Sequence, residues 1–188
     1  MKLYLTVISV SIAIIASANI IAGYVWHYAI PATVLCAVLL FVLDATVAFI
    51  INKMPNRWFG VENRRFQVSE RALDFYGRLN VRRWKEKVLE LGWLGGFSKK
   101  EIKEPKNPEY IERFIIECNK GVVTHRLSYF IGLLTLFIFP PSIALPATVV
   151  NMLLNVLPTI VLRDNTPKLK SLLSHMRAMQ EREKEYRR

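Results

Sequence analysis

The chemistry-bearing residue that stands out is His125, at a seam in the chain. Before it lie Glu117, Cys118, Asn119, Lys120 and Thr124; beyond Arg126, the run Leu127 to Leu162 holds no Lys, Arg, Asp or Glu. A free imidazole titrates near pH 6.5, so part of its population is neutral at cytoplasmic pH and able to accept a proton (about 6.5 being the unperturbed value). At a boundary between water and lipid, such a base reaches a lipid-borne hydroxyl from one side and a water-soluble donor from the other. The competing reading is a histidine that anchors a helix end among headgroups. Glu117 is not its hydrogen-bond partner on a straight helix, because eight residues impose a rotation of about 80° and a rise of about 12 Å.

A second constellation begins with Asn151 and Asn155, one helical turn apart inside the apolar run. Buried amides in lipid need partners, which turns this face toward the interior of a bundle. Past the run, Arg163, Asn165 and Lys168 gather where water returns and could grip a phosphate. A stop signal made of basic and capping residues would read the same way. Asp44 is the third feature, the single charged residue between Ala29 and Ile51. A carboxylate in a membrane helix costs roughly 3 kcal/mol on insertion scales, which by default hints at function. It could stay protonated or pair with an asparagine.

These residues must be held by membrane helices. Leu3 to Gly23 carries no charge and Ala29 to Ile51 carries only Asp44, so each can cross a hydrocarbon core, which takes about 20 helical residues. Lys2 and Ala16-Ser17-Ala18 resemble a signal peptide, but the apolar run continues to Tyr24, so the segment is read as a retained span. Leu127 to Leu162 is broken by Pro140-Pro141 and reads as a tight helical hairpin, crossing twice or re-entering. The expected fold is all-α: a polytopic membrane protein of about four membrane segments under a cap of cytoplasmic amphipathic helices. The expected organisation is 1–51 as two membrane helices, 52–124 as a basic cytoplasmic segment, 125–163 as the hairpin and 164–188 as a basic tail.

Charge sets the orientation. Lys53 to Lys120 has 16 Lys and Arg against 10 Asp and Glu, and Arg163 to the end has 8 against 4, within a chain of net charge +11. The hairpin tips near Trp26-His27-Tyr28 and Pro140-Pro141-Ser142 have no charged residue. By the positive-inside rule both termini and the central segment face the cytoplasm, in the cell membrane. The basic excess is read as flanks on anionic headgroups, each Lys or Arg adding about 1 kcal/mol near the surface, rather than as a nucleic-acid site.

Within the central segment Pro55 ends a helix, Ser69 is an N-cap, and Val81, Trp84, Val88 and Leu91 fall on one helical face. Leu91 to Phe97 is a glycine- and aromatic-rich loop expected to dip into the interface. Ser98 to Glu101 has capping-box spacing. Pro108 precedes a helix with the apolar stripe Ile111, Phe114, Ile115, Cys118 and Val122. Cys36 and Cys118 fall on opposite sides of the predicted boundary, so neither a disulfide nor a metal site follows. No cofactor is implied. Nucleotide-binding loops, HExxH and GxSxG are absent, and so is His-x4-Asp, since Phe130 stands five residues after His125.

Several segments in order resemble the glycosyl-diaponeurosporenoate acyltransferase family of the staphyloxanthin pathway. They are Pro55-x-Arg57-Trp58-Phe59, Val81-Arg82-Arg83-Trp84-Lys85, Gly95-Gly96-Phe97-Ser98-Lys99-Lys100, Arg113-Phe114 leading through Glu117 and Lys120 to His125, and Asn155-x-x-Pro158 leading through Arg163 and Asn165 to Pro167-Lys168-Leu169. The chain departs from the family pattern at Val122, in place of a glutamate, at Leu162, in place of a glutamine, and at Thr166, in place of a basic residue. Its first membrane segment also lies outside the pattern. The resemblance implies an integral-membrane enzyme that moves a fatty acyl group from acyl-CoA or acyl-carrier protein to a hydroxyl of a glycosylated lipid. It implies His125 as base and Glu117 as the residue that positions a neighbour, Lys85 or Arg163. Trp84, Lys85, Lys120, Asn155, Arg163, Asn165 and Lys168 would bind substrate. The rival from another class is a non-catalytic membrane module that binds lipid or a partner protein.

Overall fold

A computed structural model describes residues 2–88, 96–99 and 101–187, and all regular structure among them is helical. Six α-helices follow one another: α1 (Lys2–Ile21), α2 (Trp26–Lys53), α3 (Glu70–Arg78), α4 (Val81–Trp84), α5 (Pro108–Ile131) and α6 (Pro141–Tyr186). Three of them, α1, α2 and α6, are long and apolar enough to cross a membrane. Their outward faces are themselves apolar: Ile14, Leu35 and Leu153 are all more than 55% exposed, as lipid-facing side chains would be.

The α1–α2 connection is tight because Gly23 adopts a φ of +100°, a conformation that side-chain-bearing residues rarely take. As Pro55 suggests, α2 stops at Lys53. A 3-10 turn, Asn56–Phe59, follows and is pinned when Asn119 of α5 donates to the Phe59 carbonyl at 2.9 Å. Ser69 caps α3 by accepting from the Ala72 amide. The face expected from Val81 to Leu91 is not one helix. α4 is a single turn that starts after Asn80 in the left-handed region (φ 51°), a 3-10 turn covers Lys85–Lys87, and Val88 is extended. Leu91 and most of the glycine-rich loop lie outside the described residues. So does Lys100 of the supposed capping box; Ser98 and Lys99 beside it are not helical.

Asn107 begins α5 by accepting from the Glu109 and Tyr110 amides, with Pro108 at the first helical position, where its missing N–H costs nothing. The stripe Ile111, Phe114, Ile115, Cys118 and Val122 is at most 3% exposed and packs with Leu162, Leu169 and Leu173 of α6. Glu112 meets Arg177, Gly121 meets Leu162 and Gly132 meets Thr148, so the two helices run antiparallel. This pairing is the spine of the fold.

The hairpin holds together although its first arm is short in sequence. After Ile131 the chain tightens to a 3-10 helix, Gly132–Phe137, which rises about 2.0 Å per residue against about 1.5 Å in an α-helix. The arm therefore reaches further than its residue count suggests. The start of α6 lies at the depth of Asn19 on α1, where Ser142 Oγ donates to Asn19 Oδ1 at 2.6 Å. Pro146 cannot donate to the Ser142 carbonyl, and Asn19 Nδ2 takes up that carbonyl at 3.3 Å. From there α6 runs unbroken through Pro158 and Pro167 to Tyr186, so positions 163 and 164 are consecutive residues of one helix.

Close approach at the base of the hairpin depends on Gly132. A Cβ there would lie 2.9 Å from Thr148 Cγ2 and 3.0 Å from Leu40 Cδ2, and Thr148 Oγ1 donates to the Gly132 carbonyl at 2.9 Å. Gly132→Ala is expected to lower stability by roughly 1–3 kcal/mol through overpacking, read as a fall in thermal midpoint in detergent; an unchanged midpoint would show that the base of the hairpin gives way freely.

Candidate active site

Helices α1, α2, α5 and α6, with the Lys85–Val88 segment and Lys99, enclose a cavity of about 600 Å³. Its character changes along its length. Toward the α1–α2 turn it is walled by Ile8, Ile12, Ile15, Ala37 and Leu40; toward the opposite mouth by Lys85, Lys99, Lys120 and Asn165. Between the two regions stand Asp44, Asn151, Asn155, Ser128 and His125.

Helical spacing explains how they meet. Asp44 lies on the inner stripe of α2 with Ala37, Leu40 and Phe41. Asn151 and Asn155, 9% and 6% exposed, share the inner face of α6. On α5 the close packing just before His125 needs Gly121, where a Cβ would sit 2.7 Å from Leu162 Cδ1. That approach brings the α5 imidazole to the α6 amide.

A chain of hydrogen bonds results. Asn155 Nδ2 donates to Asp44 Oδ2 at 2.9 Å, and Asn151 Nδ2 donates to Asp44 Oδ1 at 3.3 Å. Asn155 Oδ1 faces His125 Nδ1 at 2.7 Å. A carboxylate accepts and an amide oxygen accepts, so the proton in the last contact belongs to Nδ1 of the histidine. Nε2 is then the nitrogen with the free lone pair. An amide from α6, itself held by a carboxylate from α2, thus fixes the tautomer with the proton on Nδ1.

Ser128, one turn beyond His125, is 1% exposed, lines the cavity and has no hydrogen-bond partner. Thr33, Thr124, Thr159 and Thr166 each donate to the carbonyl four residues earlier. Ser128 does not, and a buried hydroxyl without a partner costs about 1–3 kcal/mol. A substrate oxygen would satisfy it.

The expected site residues divide. His125, Asn155, Glu117, Lys120, Lys85 and Asn165 line the one cavity. Trp84, Arg163 and Lys168 are not among its lining residues. Trp84 gives its indole N–H to the Leu79 carbonyl at 3.0 Å, Arg163 Nε donates to Tyr76 Oη at 3.1 Å, and Lys168 pairs with Asp164 on the exposed face of α6. Glu117 meets Lys120, 3.7 Å away, rather than Lys85 or Arg163. The Lys120 ammonium, held at 6% exposure, also donates to the Asn52 carbonyl at 3.3 Å and lies over the Phe59 ring. This pair therefore ties α5 to the end of α2. Two further residues belong with the site: Asp44, whose signal was a charge inside an apolar helix, and Lys99, carried only by the glycine-rich motif before it. Among the described residues no cluster of His, Cys, Asp or Glu could hold a metal, and both cysteines are buried thiols outside any disulfide.

A family model described as glycosyl-4,4'-diaponeurosporenoate acyltransferase matches residues 55–175. That stretch carries α3 to α5 and most of α6; α1 and α2 precede it. Comparison with curated proteins and with solved structures gave no match. Val122, 2% exposed in the α5–α6 core, shows why a carboxylate there would be costly in this chain.

Glu117 places its carboxylate beside a buried ammonium, 3.7 Å from Lys120 Nζ. Glu117→Ala is expected to cost about 3–5 kcal/mol by removing the carboxylate partner of Lys120, and the double variant with Lys120→Met is expected to recover most of it. Denaturation midpoints in detergent for the two variants test this; equal losses in single and double variants would remove the pairing as the cause.

Proposed function

The chain belongs to the glycosyl-4,4'-diaponeurosporenoate acyltransferase family, and from that premise we propose that it esterifies a hydroxyl of a glycosylated lipid with a fatty acyl group taken from acyl-CoA or acyl-carrier protein. The site lies at the cytoplasmic leaflet of the cell membrane, with both termini cytoplasmic, the 125–140 arm as a fourth membrane segment, and α3, α4 and the Lys85–Val88 turn forming a cap. The single observation that carries the reading is the Asp44–Asn155–His125 chain inside a cavity that is apolar at one end and basic at the other.

In this mechanism the donor's phosphates meet Lys85 and Lys99 at the basic mouth, with Asn165 beside them, and its acyl chain enters the apolar limb. The thioester carbonyl then comes to rest near His125 and Ser128. His125 Nε2 takes the proton of the acceptor hydroxyl as that oxygen attacks the thioester carbon. Negative charge develops on the carbonyl oxygen, where the Ser128 hydroxyl donates. The carbon–sulfur bond breaks, the ester forms, and the imidazolium returns its proton to the departing thiolate. Asp44 takes no proton. It is a positioning residue that orients the Asn155 amide, which in turn holds the imidazole with Nδ1 protonated.

Purified chain in vesicles, given labelled acyl-CoA or acyl-carrier protein and a mixture of glycolipids, is expected to form an acyl ester. His125→Ala should lower turnover about 10²–10⁴-fold. No ester from the intact chain would leave a lipid-binding module as the better reading, and full activity of the variant would remove His125 from the chemistry. Asp44→Asn should reduce kcat by about 10² or more while KM changes little, because it disturbs the orientation of the base and not the binding of substrate. A loss confined to KM would instead make Asp44 a binding group.

A further inference from the structure

The apolar limb of the cavity has a definite end, and α1 supplies much of its wall. Tyr4, Ile8, Ser11, Ile12 and Ile15 line it at helical spacing, one stripe of a single helix. On α2 the stripe from Asp44 passes through Leu40 and Ala37 to Thr33, and on α6 it runs from Asn155 through Asn151 to Ala147. α1 and α2 are joined by a tight turn at Gly23, so they run antiparallel and Ile15 stands at the depth of Thr33.

At that depth the limb closes. Ile15 is 7% exposed and packs with Ala32, Cys36, Leu40, Ile143 and Ala147. Immediately beyond it Asn19, 2% exposed, is bonded to both Oγ and the carbonyl of Ser142. An apolar plug is thus backed by a polar latch that binds α1 to the start of α6. From Asp44 to Thr33 is eleven helical residues, about 16 Å at 1.5 Å each. A hydrocarbon zigzag built from bonds of about 1.5 Å advances about 1.25 Å per carbon. The limb therefore takes an extended chain of about a dozen carbons beyond the thioester carbonyl.

We propose that α1 is the acyl-chain ruler of this enzyme, with Ile15 as the stop against which the methyl end of the chain rests. The inference builds on the acyl-transfer reading and adds which residues set acyl length. Of the three helices that shape the limb, α1 and α2 lie outside the residues matched by the family model, and α6, which also carries Asn155, lies mostly within them.

The test is a competition. The intact chain in vesicles receives an equimolar series of saturated acyl-CoAs from eight to twenty carbons with a fixed glycolipid acceptor, and the ester products are resolved by mass. Ile15→Ala deepens the limb and should raise the ratio of long to short esters about tenfold or more, while Ile15→Phe should lower it by a similar factor, since one methylene at a close-fitting end is discriminated about 10-fold or better. Ala37→Leu fills the limb from α2 and should also shorten the profile, which guards against misfolding of either α1 variant. Opposite shifts from widening and filling support the ruler. Ester formation with one unchanged profile in all three variants overturns it while leaving acyl transfer intact. A changed choice of acceptor at constant acyl length also overturns it, by giving the limb to the acceptor's tail. If the intact chain forms no ester, the acyl-transfer reading itself fails, and the ruler with it.

Discussion

The fold turns on one constraint: a carboxylate, Asp44, sits on a helix otherwise made for lipid. On α2 alone it would be charged and unsolvated, or protonated and idle. The structure answers with two amides from α6, Asn151 and Asn155, which reach it at 3.3 and 2.9 Å. That contact fixes the register of α2 against α6. Because Asn155 spends its oxygen on His125, it fixes α5 as well. In a membrane, where apolar side chains gain little by leaving lipid for one another, such polar contacts carry more of the specificity of packing than they would in water. Asn19 with Ser142 does the same at the far end for α1 and α6.

What could be read from the chain beforehand followed the physics that leaves the strongest marks in sequence. Long uncharged runs gave the α1 and α2 spans, Pro55 and Pro108 gave helix ends, and the spacing of Ile111, Phe114, Ile115, Cys118 and Val122 gave the buried face of α5. The inward face of Asn151 and Asn155 was legible from the cost of an amide in lipid. What stayed hidden was everything that depends on which helix neighbours which. An asparagine partner for Asp44 was one of two readings open from the sequence, but nothing local says that it is Asn155, more than a hundred residues away at 2.9 Å, or that Glu117 answers to Lys120. Arg163 reads as a phosphate ligand because it is cationic near an interface, and Trp84 enters only with the family motif; in the structure Arg163 bonds to Tyr76 and Trp84 to the Leu79 carbonyl. The arm before Pro140 is tightened by a 3-10 stretch of six residues, which lengthens it by only about 3 Å over an α-helical rise.

The prolines of α6 make a related point. Pro146, Pro158 and Pro167 would each be read as a break in a soluble helix, yet the helix continues through all three. Inside a bundle, a freed carbonyl can be taken by a neighbour's side chain. The Ser142 carbonyl shows this directly, since the missing bond from Pro146 is replaced by Asn19. The proline thereby creates the acceptor on which α1 docks, and a local defect becomes a tertiary contact.

Placing an amide between carboxylate and imidazole also suits the setting. A direct Asp–His contact would confine the negative charge to the histidine and demand that both be buried together. With Asn155 between them, Asp44 keeps two donors of its own and the imidazole keeps a neutral, strictly accepting partner at Nδ1. The orientation of the imidazole then rests on a carboxylate that is itself held by two amides. The carboxylate comes from α2, while the amide and the imidazole come from helices within the family-matched residues. The N-terminal helices are therefore more than an anchor. One completes the orientation of His125, and together they wall the limb into which a lipid chain would extend. A bundle assembled this way cannot lose its first two helices and keep either the orientation of the His125 imidazole or the shape of the cavity.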